Sequence, residues 1–238
     1  MANALTRGSA DLPGTAYNLG LKASKFLMSK LVLIVKQRKI DLEQNKAPRT
    51  QDLLSYLLLE VDNDGNLLDE SVIASRILGT FIGAHEASAT VITFTIKYLV
   101  ELPGVYSEVR KELMEIKSSK APGDLLNWDD TQKMKYSWNV VCEVMRLVPP
   151  IQGTFREAIV DFDYKGWKHK NSDYFSEPER FDPARFESKG PAPYTYIPFG
   201  GGPHLCPGKE LAKLQILVFM YHVVTKYKWE TVLPVERN

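Results

Sequence analysis

From Val72 to Val100 the chain is apolar almost all round, and its charged residues there are only Arg76, Glu86 and Lys97. A helix without a polar face belongs in the interior of a fold or in a bilayer. The three charges cut the segment into runs shorter than the ~20 apolar residues that span a membrane. Glu86 would sit near mid-bilayer, at a cost of about 2.5–3.5 kcal/mol or more. The segment is therefore expected as a deeply buried helix of a soluble fold, capped by Ser71 and closed before Pro103.

Helical period continues on both sides of it. Leu21, Ala23, Phe26, Leu27, Leu31, Ile34 and Val35 recur at three-to-four spacing and predict one helix over 16–44. Leu53, Leu54, Leu57 and Leu58 stripe a short helix over Gln51–Glu60, after Pro48 and Thr50. Asp62-Asn63-Asp64-Gly65-Asn66 reads as a turn. A calcium loop needs its glycine at the sixth position, and here it falls too early, so the plain turn is preferred. A helix over 105–118 should turn Val109, Leu113 and Ile116 inward, and Asn127 or Asp129 should start the next element. A helix over 135–148 ends at Pro149-Pro150.

After Pro150 the pattern changes. Phe155, Ala158, Val160, Phe162 and Tyr164 suggest a strand over 154–164, followed by an aromatic- and proline-rich stretch with little period. A last helix over 209–227 is expected to bury Leu211, Leu214, Ile216, Leu217, Phe219 and Met220. The fold class is mainly α with a small β component.

Composition narrows the function. The 30 Lys and Arg nearly cancel the 29 Asp and Glu, and the net charge of +1 argues against a nucleic-acid binder. Cys142 and Cys206 are too few for a disulfide scaffold or an all-cysteine zinc site, and they fit a reducing compartment. His85, His169, His204 and His222 show no paired metal spacing. Residues 1–25 carry no secretory signal, and 26–35 is too short to anchor the chain in a membrane.

Three constellations carry chemistry. The first is Phe199-Gly200-Gly201-Gly202-Pro203-His204-Leu205-Cys206-Pro207-Gly208, a single cysteine in a glycine loop just before a helix. Free N–H groups and partial positive charge at a helix start favour the thiolate, the form that binds iron. The glycines let a flat ligand approach the backbone. A lone cysteine is ordinarily structural, but this loop reverses that reading. A cysteine nucleophile with His204 as base is disfavoured, because residues two apart in a tight loop rarely align and no orienting acid follows.

The second is Glu143 and Arg146, an i,i+3 pair among Val140, Val141, Val144 and Leu147. A buried arginine needs further acceptors, which points to a network. The third is Gly83-Ala84-His85-Glu86-Ala87-Ser88, where small and polar residues interrupt the apolar helix. It reads equally as a packing notch with a solvated glutamate or as a site with a task.

Taken in order, these motifs resemble the cytochrome P-450 heme-thiolate monooxygenases. Phe199–Gly208 is similar to the family's heme-ligand signature, and Glu143–Arg146 to its ExxR motif. Phe181-Asp182-Pro183-Ala184-Arg185-Phe186 resembles the element whose arginine joins that pair, which gives the role to Arg185. The string Pro178-Glu179-Arg180-Phe181 is a decoy just upstream. Gly83–Ser88 resembles the oxygen-activating notch of the central helix. Leu125-Leu126-Asn127-Trp128-Asp129-Asp130, Lys135-Tyr136-Ser137-Trp138-Asn139 and Pro191-Ala192-Pro193-Tyr194 are similar to plant members that oxidise β-amyrin-type triterpenes. Taxane-type diterpenoids are the alternative substrate class.

The resemblance implies a single, incomplete cytochrome P-450 domain over 1–238, the C-terminal part of that fold. Its helical part is 16–150, its strand and meander region 151–198, and its ligand loop and following helix 199–238. The cofactor implied is heme (iron protoporphyrin), with Cys206 as axial iron ligand and Phe199 packed against the proximal face. Gly200 and Gly208 flank the loop, and His204 and Arg156 would meet the propionates. Glu86 and Ser88 would relay protons, while Glu143, Arg146 and Arg185 are structural. The partners implied are a small hydrophobic terpenoid and an NADPH-dependent flavoprotein reductase docking near Cys206 and Lys209, with no nucleic acid. The family works at the endoplasmic reticulum membrane surface, and this chain, without an anchor, is expected to be cytoplasmic or peripheral.

The chain departs from the family pattern at four points. The first half of the family's helices has no counterpart. Lys165-Gly166-Trp167-Lys168-His169-Lys170 joins two phrases that relatives separate by a strand-forming stretch, which would leave a sheet edge unpaired. Ala87 stands where the family has threonine, with Ser88 about 100° further round the helix. His204 replaces an arginine, giving a weaker and pH-dependent propionate partner. A truncated, non-catalytic isoform that binds the reductase or the full-length enzyme is therefore the alternative to a monooxygenase.

Overall fold

The computed structural model describes residues 11–46, 48, 52–62, 64–151, 153 and 174–229. These are helical: α1 (Ala16–Glu43), α2 (Leu53–Leu59), α3 (Glu70–Glu101), α4 (Pro103–Ser118), α5 (Trp128–Lys133), α6 (Lys135–Leu147) and α7 (Lys209–Lys226). Two 3-10 turns, Pro183–Phe186 and Gly202–His204, lie between α6 and α7. Among the described residues, β pairing is one isolated antiparallel bridge, Val61 to Leu67. The strand expected over 154–164, the join at 165–170 and Arg156 lie outside the described residues, as does Thr50.

The chain divides into two compact units, one up to Gly83 and one from Ala84. In the first, α1 and α2 pack with the start of α3 through Val35, Leu42, Leu57, Leu58, Ile73 and Ala74. Thr15 caps α1 and Asp52 caps α2, each accepting an N–H three residues on. Asp62 folds its turn by accepting the N–H groups of Asp64 and Asn66 at 2.9 Å each. The expected cap of α3 shifts by two residues: Asp69, not Ser71, holds the turn, accepting the Ser71 N–H at 2.7 Å. A carboxylate at a helix start is the better match to the dipole there.

In the second unit, α4, α6 and α7 pack with the end of α3. Its core holds Val91, Leu99, Val109, Leu113, Val140, Val141, Ile216, Leu217 and Met220. Asn127 and Asp130 form a reciprocal capping box on α5, and Pro103 occupies the first turn of α4.

Two expectations about burial are corrected. The central helix is not buried throughout. Val91, Thr95 and Leu99 are buried at one end and Ile73 and Ala74 at the other, but Gly79–Glu86 is exposed. Of its most apolar stretch, with mean hydropathy 1.2, only 6% is buried, and by length and composition alone α3 would suffice to cross a membrane. The chain's own elements cover one stripe of this helix, while its apolar surface runs all round. For the same reason Leu211 and Phe219 of α7, and Phe26, Leu27 and Ile34 of α1, are exposed rather than core.

Candidate functional site

The site is built outward from α6. This helix lacks a cap from its own flank, and Glu112 of α4 supplies one. The Glu112 carboxylate accepts the N–H of Tyr136 at 2.7 Å, the N–H of Ser137 at 2.9 Å and the Ser137 hydroxyl at 2.6 Å. One side chain thus satisfies two of the helix's free donors from a neighbouring helix.

Two turns on, Glu143 and Arg146 are buried, and the further acceptors that a buried arginine needs are present. Arg146 Nε donates to Glu143 Oε2 at 2.6 Å and Nη2 to Oε1 at 2.7 Å. The remaining guanidinium donors reach the carbonyls of Pro178 at 2.7 Å and Arg180 at 3.2 Å. The Phe175 ring lies 5.2 Å from the guanidinium carbon. Glu143 Oε1 also accepts the Asp182 N–H at 2.8 Å. Arg185 approaches the same oxygen with Nε at 3.5 Å, an ion pair without hydrogen-bond geometry, while its Nη2 donates to the Glu177 carbonyl at 3.0 Å. Arg180 instead makes an exposed pair with Glu177 at 3.0 Å. The structure therefore brings the Glu143, Arg146 and Arg185 side chains together and leaves the Arg180 side chain outside, contributing only its carbonyl. A buried pair so saturated fixes the 175–186 segment against α6 rather than merely neutralising charge.

The cysteine loop starts from this segment. Gly200 and Gly202 take φ of +74° and +63°, which a side chain would strain. The loop closes when the Cys206 N–H donates to the Phe199 carbonyl at 2.9 Å, which leaves Cys206 just ahead of the first turn of α7. Phe199 is half-buried against the second core. Cys206 is exposed and in no disulfide, whereas Cys142 is buried in α6 and its thiol is pushed up to about 12 by desolvation. His204 is exposed in the second 3-10 turn.

Glu86 and Ser88 do not share a face of α3. Two residues turn a helix by about 200°. Ser88 falls in line with buried Val91, Thr95 and Leu99, and it is half-buried; Glu86 lines up with exposed Ile82, Thr93 and Lys97. A cleft of ≈ 600 Å³ lined by Met134, Tyr136, Trp138, Phe186 and Lys213 opens elsewhere in the second unit. It includes neither the cysteine loop nor Glu86, so it is a fissure beside α6 and not the candidate site.

The sequence profile of the cytochrome P-450 family matches residues 9–237. The chain belongs to the cytochrome P-450 family. It is 54% identical to a β-amyrin 28-monooxygenase of Vitis vinifera, over 100% of this chain and 52% of that protein. It is 51% identical to a β-amyrin 6-β-monooxygenase of Solanum lycopersicum, over 95% of this chain and 50% of that protein. The structure of a retinoic acid-bound cyanobacterial cytochrome P-450 superposes with a TM-score of 0.79 at 28% identity, covering 95% of this chain and 54% of that one. The chain spans about half the length of the curated relatives it matches. The Vitis alignment is 251 positions long for 238 residues, so the relative holds positions that this chain lacks.

The cofactor of the cytochrome P-450 family is heme, and the loop fits it. A β-carbon added at Gly200, Gly201, Gly202 or Gly208 would meet no protein atom closer than 3.6 Å, so the glycines open the backbone outward around Cys206. The thiol is accessible and stands at a helix N-terminus, where negative charge is favoured. Three residues around this network escape a reading of the sequence: Glu112, Phe175 and Tyr196, whose hydroxyl donates to the Cys142 carbonyl at 2.8 Å. They act through a cap, a ring face and a hydroxyl on a distant backbone carbonyl, none of which leaves a motif.

Proposed function

We propose that this chain carries the heme-ligand part of a plant monooxygenase acting on a β-amyrin-type triterpenoid, with Cys206 as the iron ligand. The observation that carries this reading is the accessible Cys206 thiol in its outward-open glycine loop, tied through 175–199 to the buried Glu143–Arg146 network. The names of the relatives favour β-amyrin over the taxane class.

Each residue then has a task. Cys206 holds the iron from the loop, and its position is kept by the Phe199 carbonyl. Gly200 and Gly208 keep the approach clear, and Phe199 backs the ligand. His204 and Arg156 would meet the propionates. Glu143, Arg146 and Arg185 fix the segment that leads into the loop. Glu86, on the exposed face of α3, would relay protons from solvent, while Ser88, the other relay candidate, lies on the core-facing stripe away from it. Bound there, heme would supply the activation of dioxygen, with the Cys206 thiolate as its electron-donating ligand. An NADPH-dependent flavoprotein reductase delivers electrons near Cys206 and Lys209, at the endoplasmic reticulum surface.

The test is turnover. The heme-loaded chain is incubated with NADPH, a plant flavoprotein reductase and β-amyrin, and products are read by mass spectrometry. A product heavier by one oxygen, lost in Cys206→Ser, is expected. A heme-loaded chain that leaves β-amyrin unchanged contradicts the reading.

A further inference from the structure

Tyr196 ties the approach to the cysteine loop back onto α6. Its hydroxyl donates to the backbone carbonyl of Cys142 at 2.8 Å. That carbonyl immediately precedes Glu143 in α6. Its ring lies 4.7 Å from the Phe186 ring, tilted by 58°, and Phe186 immediately follows Arg185. Three residues further along the chain, the Phe199 carbonyl receives the Cys206 N–H. The path from the buried network to the thiol is therefore short and covalent at both ends.

We propose that Tyr196 is the positioning residue that sets where the cysteine loop stands relative to the Glu143–Arg146–Arg185 network, and so where Cys206 presents its sulfur. The inference rests on the reading of Cys206 as the heme ligand. Burial makes the bond matter. The hydroxyl is desolvated, which holds it well above the ordinary tyrosine range and keeps it a donor at any working pH. A desolvated hydroxyl is held to its acceptor, because letting go would leave it unsatisfied. A phenylalanine here would keep the ring on Phe186 and release only the bond, so the loop would stay folded but lose its register. The sulfur would then sample positions in which it is a poorer ligand.

The test uses Tyr196→Phe in the whole chain, with Tyr227→Phe as a hydroxyl deletion at an exposed site. In the heme-free chain, hydrogen–deuterium exchange is read over the peptide holding the Cys206 amide. Tyr196→Phe should exchange about fivefold faster there, the scale of one net hydrogen bond, with peptides of α1 and α2 unchanged. In the heme-loaded chain, the thiolate-type Soret band of the reduced carbon monoxide complex should lose intensity in Tyr196→Phe alone. Exchange and band intensity equal to the parent chain in Tyr196→Phe overturn the proposal. If the parent chain itself shows no thiolate-type band, the ligand reading fails. The exchange comparison still decides whether Tyr196 sets the loop.

Discussion

Glu143 and Arg146 face each other through two parallel hydrogen bonds, 2.6 and 2.7 Å long, on side chains that are 0% and 1% exposed. Two charges so placed are stable only as a pair, because each alone would be a desolvated ion. Glu143→Gln or Arg146→Met should therefore destabilise the second unit by about 3–5 kcal/mol. The double substitution should cost less than the two single losses together. Urea unfolding of the three variants measures this, and additive losses would show that the pair is not coupled.

Glu112 predicts a smaller effect at the other end of the same helix. Glu112→Ala removes the cap on Tyr136 and Ser137 and should cost about 1–2 kcal/mol, while Glu112→Gln should recover part of it. Equal stability of parent and Glu112→Ala in urea would show that α6 does not depend on this cap.

Asp130 sets an acid dependence. The Lys120 ammonium, 2.6 Å away, and the Asn127 N–H hold its carboxyl down to about 2. Because that is below the ordinary ~3.9, its contribution to stability is full above about pH 4 and drains away as pH falls towards 2. The same bond raises Lys120 above its ordinary value, so that part is lost only as pH climbs through the alkaline range. Asp130→Asn should flatten the urea midpoint between pH 4 and 2; an unchanged slope contradicts the assignment.

The two thiols should differ in reactivity. Cys142 is buried and its thiol is pushed up to about 12, whereas Cys206 is exposed. Iodoacetamide at neutral pH should modify one thiol per folded heme-free chain and none in Cys206→Ser, with Cys142 reacting only after unfolding. Modification of folded Cys206→Ser would show that the α6 core opens.

Much of this fold is legible in the amino-acid sequence. Period alone places α1, α4, α6 and α7 to within a residue or two, because each has an inward stripe and a proline or polar break at its end. The Glu143–Arg146 spacing among valines already implies a buried pair in need of acceptors. What period does not reveal is which apolar faces the chain itself covers. Phe81 and Ile82 of α3 and Leu211 of α7 look like core residues, yet they are exposed, since a helix apolar all round does not say how many neighbours its chain provides. Tyr196 and Glu112 are invisible for another reason: each acts on a backbone group far away in sequence, and only the fold brings the two together.

Every role assigned to the glycine loop depends on the Cys206 sulfur binding heme iron. The chain is loaded with heme, reduced under carbon monoxide, and its spectrum is compared with that of Cys206→Ser. The red-shifted, thiolate-type Soret band is predicted for the parent and its loss for the variant. A histidine-type band in the parent, or a thiolate-type band that survives in Cys206→Ser, would contradict this assignment.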